Sequence, residues 1–142
     1  MTTRRLGLQP LLQAVYSRLT THDLTKDYLV YNYVTPSTAM PYIRIGDLMG
    51  APSAVFGSRD TEAEDNVFFV HIWSDAAGDY EAAGMMDNVV QAITESDLSI
   101  VGYGEAKMCV FESGDILQDT TEPAKLVYHG VCRFRCHMIY AS

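Results

Sequence analysis

The chain has 142 residues, 48% of them hydrophobic, and a formal net charge of −8 at pH 7. This length suits one domain with one hydrophobic core, and this apolar content excludes a disordered chain. The negative charge argues against a dedicated binder of the nucleic-acid backbone, which carries a basic face. No apolar run reaches membrane-spanning length and the first residues show no signal-peptide core, so we expect a soluble protein made in a cytoplasm.

The first predicted element is a helix over residues 6–20. Leu8, Leu12, Val15 and Leu19 recur at the spacing of one helical face. Because Pro10 is tolerated only in the first turn, the helix is expected to begin close to residues 7–9.

Two strands are predicted next. Residues 28–34 are rich in Tyr and Val, and after a loop around Pro36 the apolar residues of 42–45 form a second strand that ends at Gly46 and Asp47.

Residues 48–66 are the least regular part of the chain, because Gly and Pro interrupt them. We predict either a long irregular loop that docks on another surface or a short hairpin in the same sheet. The apolar and acidic side chains expected to serve self-association or contact with a partner here are Leu48, Met49, Val55, Phe56, Asp60 and Glu62.

The strongest structural prediction is a strand over 67–73 followed by a helix that extends to Ile93. The strand is apolar on both faces, so it needs cover on both, from a helix on one side and from another chain or a long loop on the other. Asp79 is placed to cap the helix. Ala82, Met86 and Val89 then begin its apolar stripe.

The last part of the chain is predicted as a strand region over 98–111 with a bend at 102–104, a polar loop over 112–124, and a long alternating strand over 125–140. One face of the long strand is core-like, and the other carries Arg133 and Arg135. The fold class is therefore α+β: two helices packed on a mainly antiparallel sheet of four to five strands, in a single domain over residues 1–142.

A metal site is the first chemistry that the cysteines and histidines suggest. Cys132 and Cys136 share a strand face but stand roughly 13 Å apart, too far to bind one zinc ion without a bend. His129 and His137 lie on the opposite face, and His71 belongs to another strand. With Cys109 the cysteines are odd in number and match no disulfide framework, which suits a reducing compartment.

Catalytic motifs are missing from the sequence as well. It contains no G-x-S-x-G elbow, and the G-Y-G at 102–104 lacks the rest of a dinucleotide-binding fingerprint. We therefore expect no catalytic residue, no metal and no cofactor. Arg133 and Arg135 are predicted either to pair with the acidic loop of a neighbouring copy or to lie on a solvated sheet face with local ion pairs.

The order of several short motifs resembles a known family. P-Y-I-R-I-G at 41–46, V-F-F-V-H-I-W-S at 67–74, the helix over 78–93 and H-G-V-C-R-F-R at 129–135 follow one another as in the tail-completion or tail-terminator proteins of long-tailed bacteriophages. The helix that begins L-x-x-L-L is similar too. Gly84 departs from the pattern, because a better helix former is usual at that position.

This resemblance implies a virion structural protein located in the tail and, during assembly, in the host cytoplasm. Such proteins form a ring, typically hexameric, at the head-proximal end of the tail tube, where they end tube polymerisation and offer a docking face to the head connector. The implied partners are further copies of the chain, the tube protein and the connector, while DNA passes through the lumen without specific binding. The alternatives are a head-completion or connector ring protein and a small ligand-binding α+β domain, for which His71 and Trp73 are the nearest seed of a pocket.

Overall fold

A computed structural model describes residues 7–35, 37–52, 63–103, 107–122 and 125–139. Within these ranges the chain forms two helices and five strands. Their bounds are α1 (Leu8–Thr21), β1 (Val30–Tyr31), β2 (Tyr42–Pro52), β3 (Ala63–Ser74), α2 (Tyr80–Thr94), β4 (Lys107–Glu122) and β5 (Lys125–Ile139). The α+β class is thus confirmed, with five strands.

The strands form one sheet in the order β1-β2-β3-β5-β4. All neighbours run antiparallel except β1, which pairs parallel to β2. Both helices pack on the same face of the sheet, α1 mainly over β2 and α2 over β4 and β5. We call this the helix face and the opposite side the open face.

The hydrophobic core lies between the helices and the sheet. Val15 and Leu19 of the predicted α1 stripe are fully buried, as are Val89 and Ile93 of α2. Leu8 and Leu12 are only partly buried, and Leu11 takes the fully buried position beside them. The sheet contributes alternate residues of its central strands, as period-2 geometry requires. These core residues of the sheet are Ile43, Ile45, Phe68, Val70, Ile72, Cys132, Phe134, Cys136 and Met138.

The starts of the two helices have different causes. Helix α1 begins after Gly7, which is left-handed (φ 74°) and lies so close to the Tyr103 ring that a Cβ would clash with it. Asp79 occupies the N-cap position of α2, but its side chain makes no capping hydrogen bond, so its predicted role is wrong. Instead Glu81 accepts a hydrogen bond of 2.7 Å from the Ser74 hydroxyl, which fastens the first turn to the end of β3.

The strand predicted over 28–34 is much shorter in the structure. Only Val30 and Tyr31 pair with β2, and Leu29 and Tyr33 are exposed. The Tyr and Val content is misleading here because β1 is a short edge strand: beyond Val30 and Tyr31, the Leu29 carbonyl oxygen accepts a hydrogen bond of 2.8 Å from the Ile43 N–H, and residues 32–34 are not strand. Composition alone does not reveal where strand pairing stops.

The strand over 42–45 does not end at Gly46 and Asp47. These two residues form an irregularity in the ladder, after which pairing resumes with Leu48 opposite Phe68 and continues to Pro52 opposite Glu64. Of the two predictions for 48–66, the hairpin agrees with the described residues at each end of this segment, because 48–52 and 63–66 are strand. Residues 53–62 lie outside the described ranges.

The polar loop predicted over 112–124 is strand as far as Glu122, and the strand predicted to start at Leu98 begins only at Lys107. The bend at 102–104 is present at Gly102 (φ 89°), where Ile100 and Tyr103 form a bridge around a turn. Residues 112–118 resemble a loop in sequence because β4 is an edge strand, and most of its side chains here are polar and exposed. Neither described helix has the length and hydrophobicity that a bilayer crossing requires.

Candidate functional site on the open sheet face

The open face combines apolar and charged side chains from four strands. The pairing register shows which residues lie on this face, because residues directly opposite each other on neighbouring strands point to the same side of the sheet. Its central members are Tyr42, Arg44 and Met49 of β2, Val67, Phe69, His71 and Trp73 of β3, Val110, Glu112 and Leu117 of β4, and His129, Arg133, Arg135 and His137 of β5. Neither helix contributes to it.

An aromatic row crosses this face from one edge toward the other. Its members are Tyr31, Tyr42, Trp73, His129, His71 and Phe69, and successive ring centroids are 6.0, 6.5, 3.8, 5.0 and 6.3 Å apart. The Arg133 guanidinium continues the row at 5.6 Å from the Phe69 ring, within cation–π range. Tyr42 and His71 are buried in the row, and its other rings are half-buried.

Two histidines form the polar centre of the row. Nδ1 of His71 and Nε2 of His129 are 2.8 Å apart, so one ring donates a hydrogen bond and the other accepts it. His71 is buried, which together with Arg44 lowers its pKa, while Asp47 acts in the opposite direction. At 3.5 Å, Nε2 of His71 and the Asp47 carboxylate are too far apart for a well-formed hydrogen bond, so burial prevails and His71 is neutral at pH 7.

The two arginines share one carboxylate. Nε of Arg133 and Nε of Arg135 donate to the two oxygens of Glu112 at 2.9 and 3.0 Å. These bonds lower the pKa of Glu112. The predicted local ion pairs on a sheet face are thus present, and the partner lies in the same chain. Each guanidinium has five N–H groups, and Glu112 takes one from each, so donors remain for a second carboxylate.

A hydrogen bond between His137 and Asp65 marks the end of this face near residue 139. Nδ1 of His137 and Oδ1 of Asp65 are 2.6 Å apart, across directly paired positions of β3 and β5. A side-chain hydrogen bond between directly paired positions supports the register of the strands. The open face therefore has an ordered arrangement of charge as well as of rings.

The predicted contact residues divide between the two faces. Met49, Arg133 and Arg135 lie on the open face, where Met49 is 51% exposed. Leu48 does not join them, because the irregularity at 46–47 turns it to the helix face, where it packs against the core. Val55, Phe56, Asp60 and Glu62 lie outside the described residues.

Some members of this surface are not evident from the sequence. The residue pattern places Glu112 in a loop and gives no reason to single out Arg44 or Asp47. The signal for Glu112 is the pair of arginines with a two-residue spacing, which needs a carboxylate on the neighbouring strand. Glu112 can be identified as this carboxylate only when β4 is known to extend through residue 112.

One concave site away from the open face is built from groups that already have structural roles. A cavity of about 530 Å³ at the ends of the helices is lined by Arg18, His22 and Glu95 among others. Arg18 donates to the carbonyl oxygens of Ala92, Ser96 and Asp97, and His22 pairs with Glu95. Among the side chains the structure describes, no three His, Cys, Asp or Glu residues converge as metal ligands do.

Comparison with known families identifies the chain. The family model described as Tail completion protein gp17 matches residues 13–138, which include nearly all of the fold. The chain belongs to this tail completion family. It is accordingly a structural protein of a bacteriophage virion and is located in the tail. The predicted resemblance is confirmed.

Solved structures show the same fold for this tail completion protein. A chain from the virion of a native gene transfer agent particle superposes with a TM-score of 0.80 at 20% sequence identity, over 96% of this chain and 99% of that one. At this identity the likeness establishes the fold alone. No curated protein sequence matches the chain.

Proposed function

We propose that copies of this tail completion protein form a ring, typically of six, at the head-proximal end of the tail tube. The ring ends tube polymerisation and presents a docking face to the head connector. The chain acts by assembly and performs no catalysis. The observation that carries this proposal is the open face, a half-apolar sheet surface with a long edge strand beside it.

The sheet edges support contact between copies. Strand β4 is 16 residues long and is the last strand of the sheet, and Val110 and Leu117 on its open-face side are 54% and 57% exposed. The opposite edge is formed by β1, which covers only Ile43 and Arg44 of β2. An exposed strand edge is a template for another chain. Two different edges on one subunit favour head-to-tail contacts, which close into a ring when the rotation permits.

The charge distribution gives these contacts a direction. Residues 75–97, which include α2, carry six acidic residues and no Lys or Arg. The open face carries Arg44, Arg133 and Arg135. An acidic helix side of one copy set against Arg133 and Arg135 of the next, whose guanidinium groups keep N–H donors beyond those that Glu112 takes, reduces like-charge repulsion within a chain of net charge −8.

The mechanism follows from such a ring. One ring face reproduces the contacts between tube subunits and adds to the last tube layer, while the other face lacks them, so growth stops. In this arrangement Met49, Arg133 and Arg135 are buried between subunits, and the predicted contacts of Val55, Phe56, Asp60 and Glu62 belong to the same interface. DNA passes through a lumen whose acidic surface repels the phosphate backbone.

Ring formation is tested by light scattering and negative-stain imaging of the purified chain, alone and with its tube protein. Met49→Glu places a charge in the proposed interface and is expected to abolish the ring while the fold is kept. Lys26→Glu, an exposed change outside both the open face and the acidic segment 75–97, is the matched control. Deletion of residues 50–58 is a poorer test, because Gly50–Pro52 pair with β3 and their loss damages the sheet.

Tube capping is tested by polymerising the tube protein with and without the chain. With the wild-type chain, we expect tubes of limited length that carry a ring at one end. With the Met49→Glu variant, we expect tubes whose length is not limited. Immunogold labelling of whole particles then locates the ring. A label on the head side of the connector would indicate a head-completion role, and a chain that stays monomeric beside the tube while binding a small molecule would contradict the proposal.

A further inference from the structure

Two of the three cysteines face each other across neighbouring strands. Cys109 of β4 is directly opposite Cys136 of β5, and both side chains are buried on the helix face at 5% and 1% exposure. Opposite residues of an antiparallel pair have Cα atoms about 4.5–5.5 Å apart. Disulfides span about 4.4–6.8 Å between Cα atoms, so this pair needs no backbone movement to be bridged.

The thiols are also in contact. Cys109 and Cys136 share a side-chain hydrogen bond, and this bond together with burial raises the pKa of Cys109. Cys132 provides an internal contrast. It lies opposite Val70 on β3 and Gly114 on β4, so it has no thiol across either strand, and burial raises its pKa to about 12.

We propose that Cys109 and Cys136 are a disulfide site that is reduced during assembly and is oxidised in the finished particle by a peroxide. A Cys109 or Cys136 thiolate attacks the peroxide O–O bond, giving a sulfenic acid and releasing water or an alcohol. The second thiol then displaces the hydroxyl group as water and forms the S–S bond. The two sulfurs together lose two electrons, and the peroxide gains them.

The location of the protein indicates when the Cys109–Cys136 disulfide forms, and the local structure indicates what it stabilises. A virion protein is made in a reducing cytoplasm, where thiols persist, and the released particle meets an oxidising exterior. The ladder between β4 and β5 is irregular on both sides of the pair, between Lys107 and Cys109 and between Phe111 and Ser113. A covalent bond at this point fastens the edge strand between two irregularities of its pairing. Because both thiols are buried and the pKa of Cys109 is raised, oxidation is slow and requires fraying of β4.

The experiment uses the wild-type chain, so that no variant has to fold for the main result. The reduced protein is incubated with hydrogen peroxide under native conditions, remaining thiols are alkylated in denaturant, and peptides are mapped by mass spectrometry. We expect a mass loss of about 2 Da, one alkylated thiol instead of three, and a linked peptide pair that contains Cys109 and Cys136. Reduction restores all three thiols.

The thermal midpoint of the oxidised protein is expected to rise by about 5–10 °C relative to the reduced protein. Cys132→Ser is the control and should form the bond at the wild-type rate, whereas Cys109→Ser should form none. Three free thiols after prolonged oxidation of the folded protein, or a bond that includes Cys132, would overturn the inference. This outcome is independent of whether the chain forms a ring.

Discussion

The imidazole of His129 lies flat on the indole of Trp73, with ring centroids 3.8 Å apart and 6° between the ring planes. The same imidazole is hydrogen-bonded to His71, which places an ordered polar pair inside an aromatic row. Because Trp73 is the only tryptophan of the chain, its fluorescence reports directly on this part of the open face.

Trp73→Ala is expected to lower the free energy of unfolding by about 2–3 kcal/mol, since it removes the contact with His129 and the packing against Tyr42. Trp73→Phe keeps an aromatic ring and should cost less than half of that. Urea unfolding followed by circular dichroism measures both variants. Equal stability of wild type and Trp73→Ala would mean that the row contributes nothing to the isolated subunit.

Stability is expected to fall when the pH drops below about 6.5, the ordinary pKa of histidine. Burial and Arg44 lower the pKa of His71 in the folded state, so the unfolded chain binds a proton that the folded chain resists. As the pH falls, the loss of stability begins near the pKa that His71 has in the unfolded chain. It levels off below the pKa that His71 has in the folded protein. If both imidazoles are protonated, both facing nitrogens carry a proton, and the hydrogen bond between His71 and His129 is lost.

His71→Gln should flatten this part of the pH dependence, as measured by urea midpoints between about pH 5 and pH 7.5. His22→Gln, at the ends of the helices, serves as the comparison because it lies far from the open face. An unchanged slope in His71→Gln would assign the pH dependence to other groups.

Arg18 is expected to be a major stabilising residue of the helical layer. Its guanidinium donates to three carbonyl oxygens at and after the end of α2, at 2.8, 3.2 and 2.9 Å, where a helix leaves its last carbonyl groups without helical partners. Arg18→Ala should cost about 2–3 kcal/mol. Lys26→Ala, an exposed change on the same side, should stay within about 0.5 kcal/mol. A similar small effect in both variants would contradict the capping role.

Two glycines are expected to respond in opposite ways to alanine. Gly84 lies in α2, and a Cβ added there would meet nothing within 4 Å, so Gly84→Ala should stabilise the protein by about 0.5–1 kcal/mol. A Cβ at Gly130 would stand 2.7 Å from Sδ of Met86, so Gly130→Ala should destabilise it by about 1–3 kcal/mol. Thermal unfolding of the two variants gives the sign of each effect. A stabilising Gly130→Ala would show that α2, which carries Met86, is free to move away from β5.

The sequence alone was sufficient for both helices, for β3 and β5, and for the family. Each of these elements has a periodic apolar pattern that reflects its own burial, and the family motifs lie on the same elements. Leu8 through Leu19, for example, predict α1 to within a few residues, because a helix buries one stripe wherever it packs.

Only the tertiary structure decided the extent of β1, β2 and β4, the side on which Leu48 lies, and the partner of the two arginines. These features depend on which strand stands beside which, and a polar edge strand has the same composition as a loop. The irregularity at 46–47 turns Leu48 to the core and leaves Met49 outside, and the length of β4 brings Glu112 to Arg133 and Arg135. Local residue patterns encode burial, whereas register between distant strands is a property of the assembled sheet.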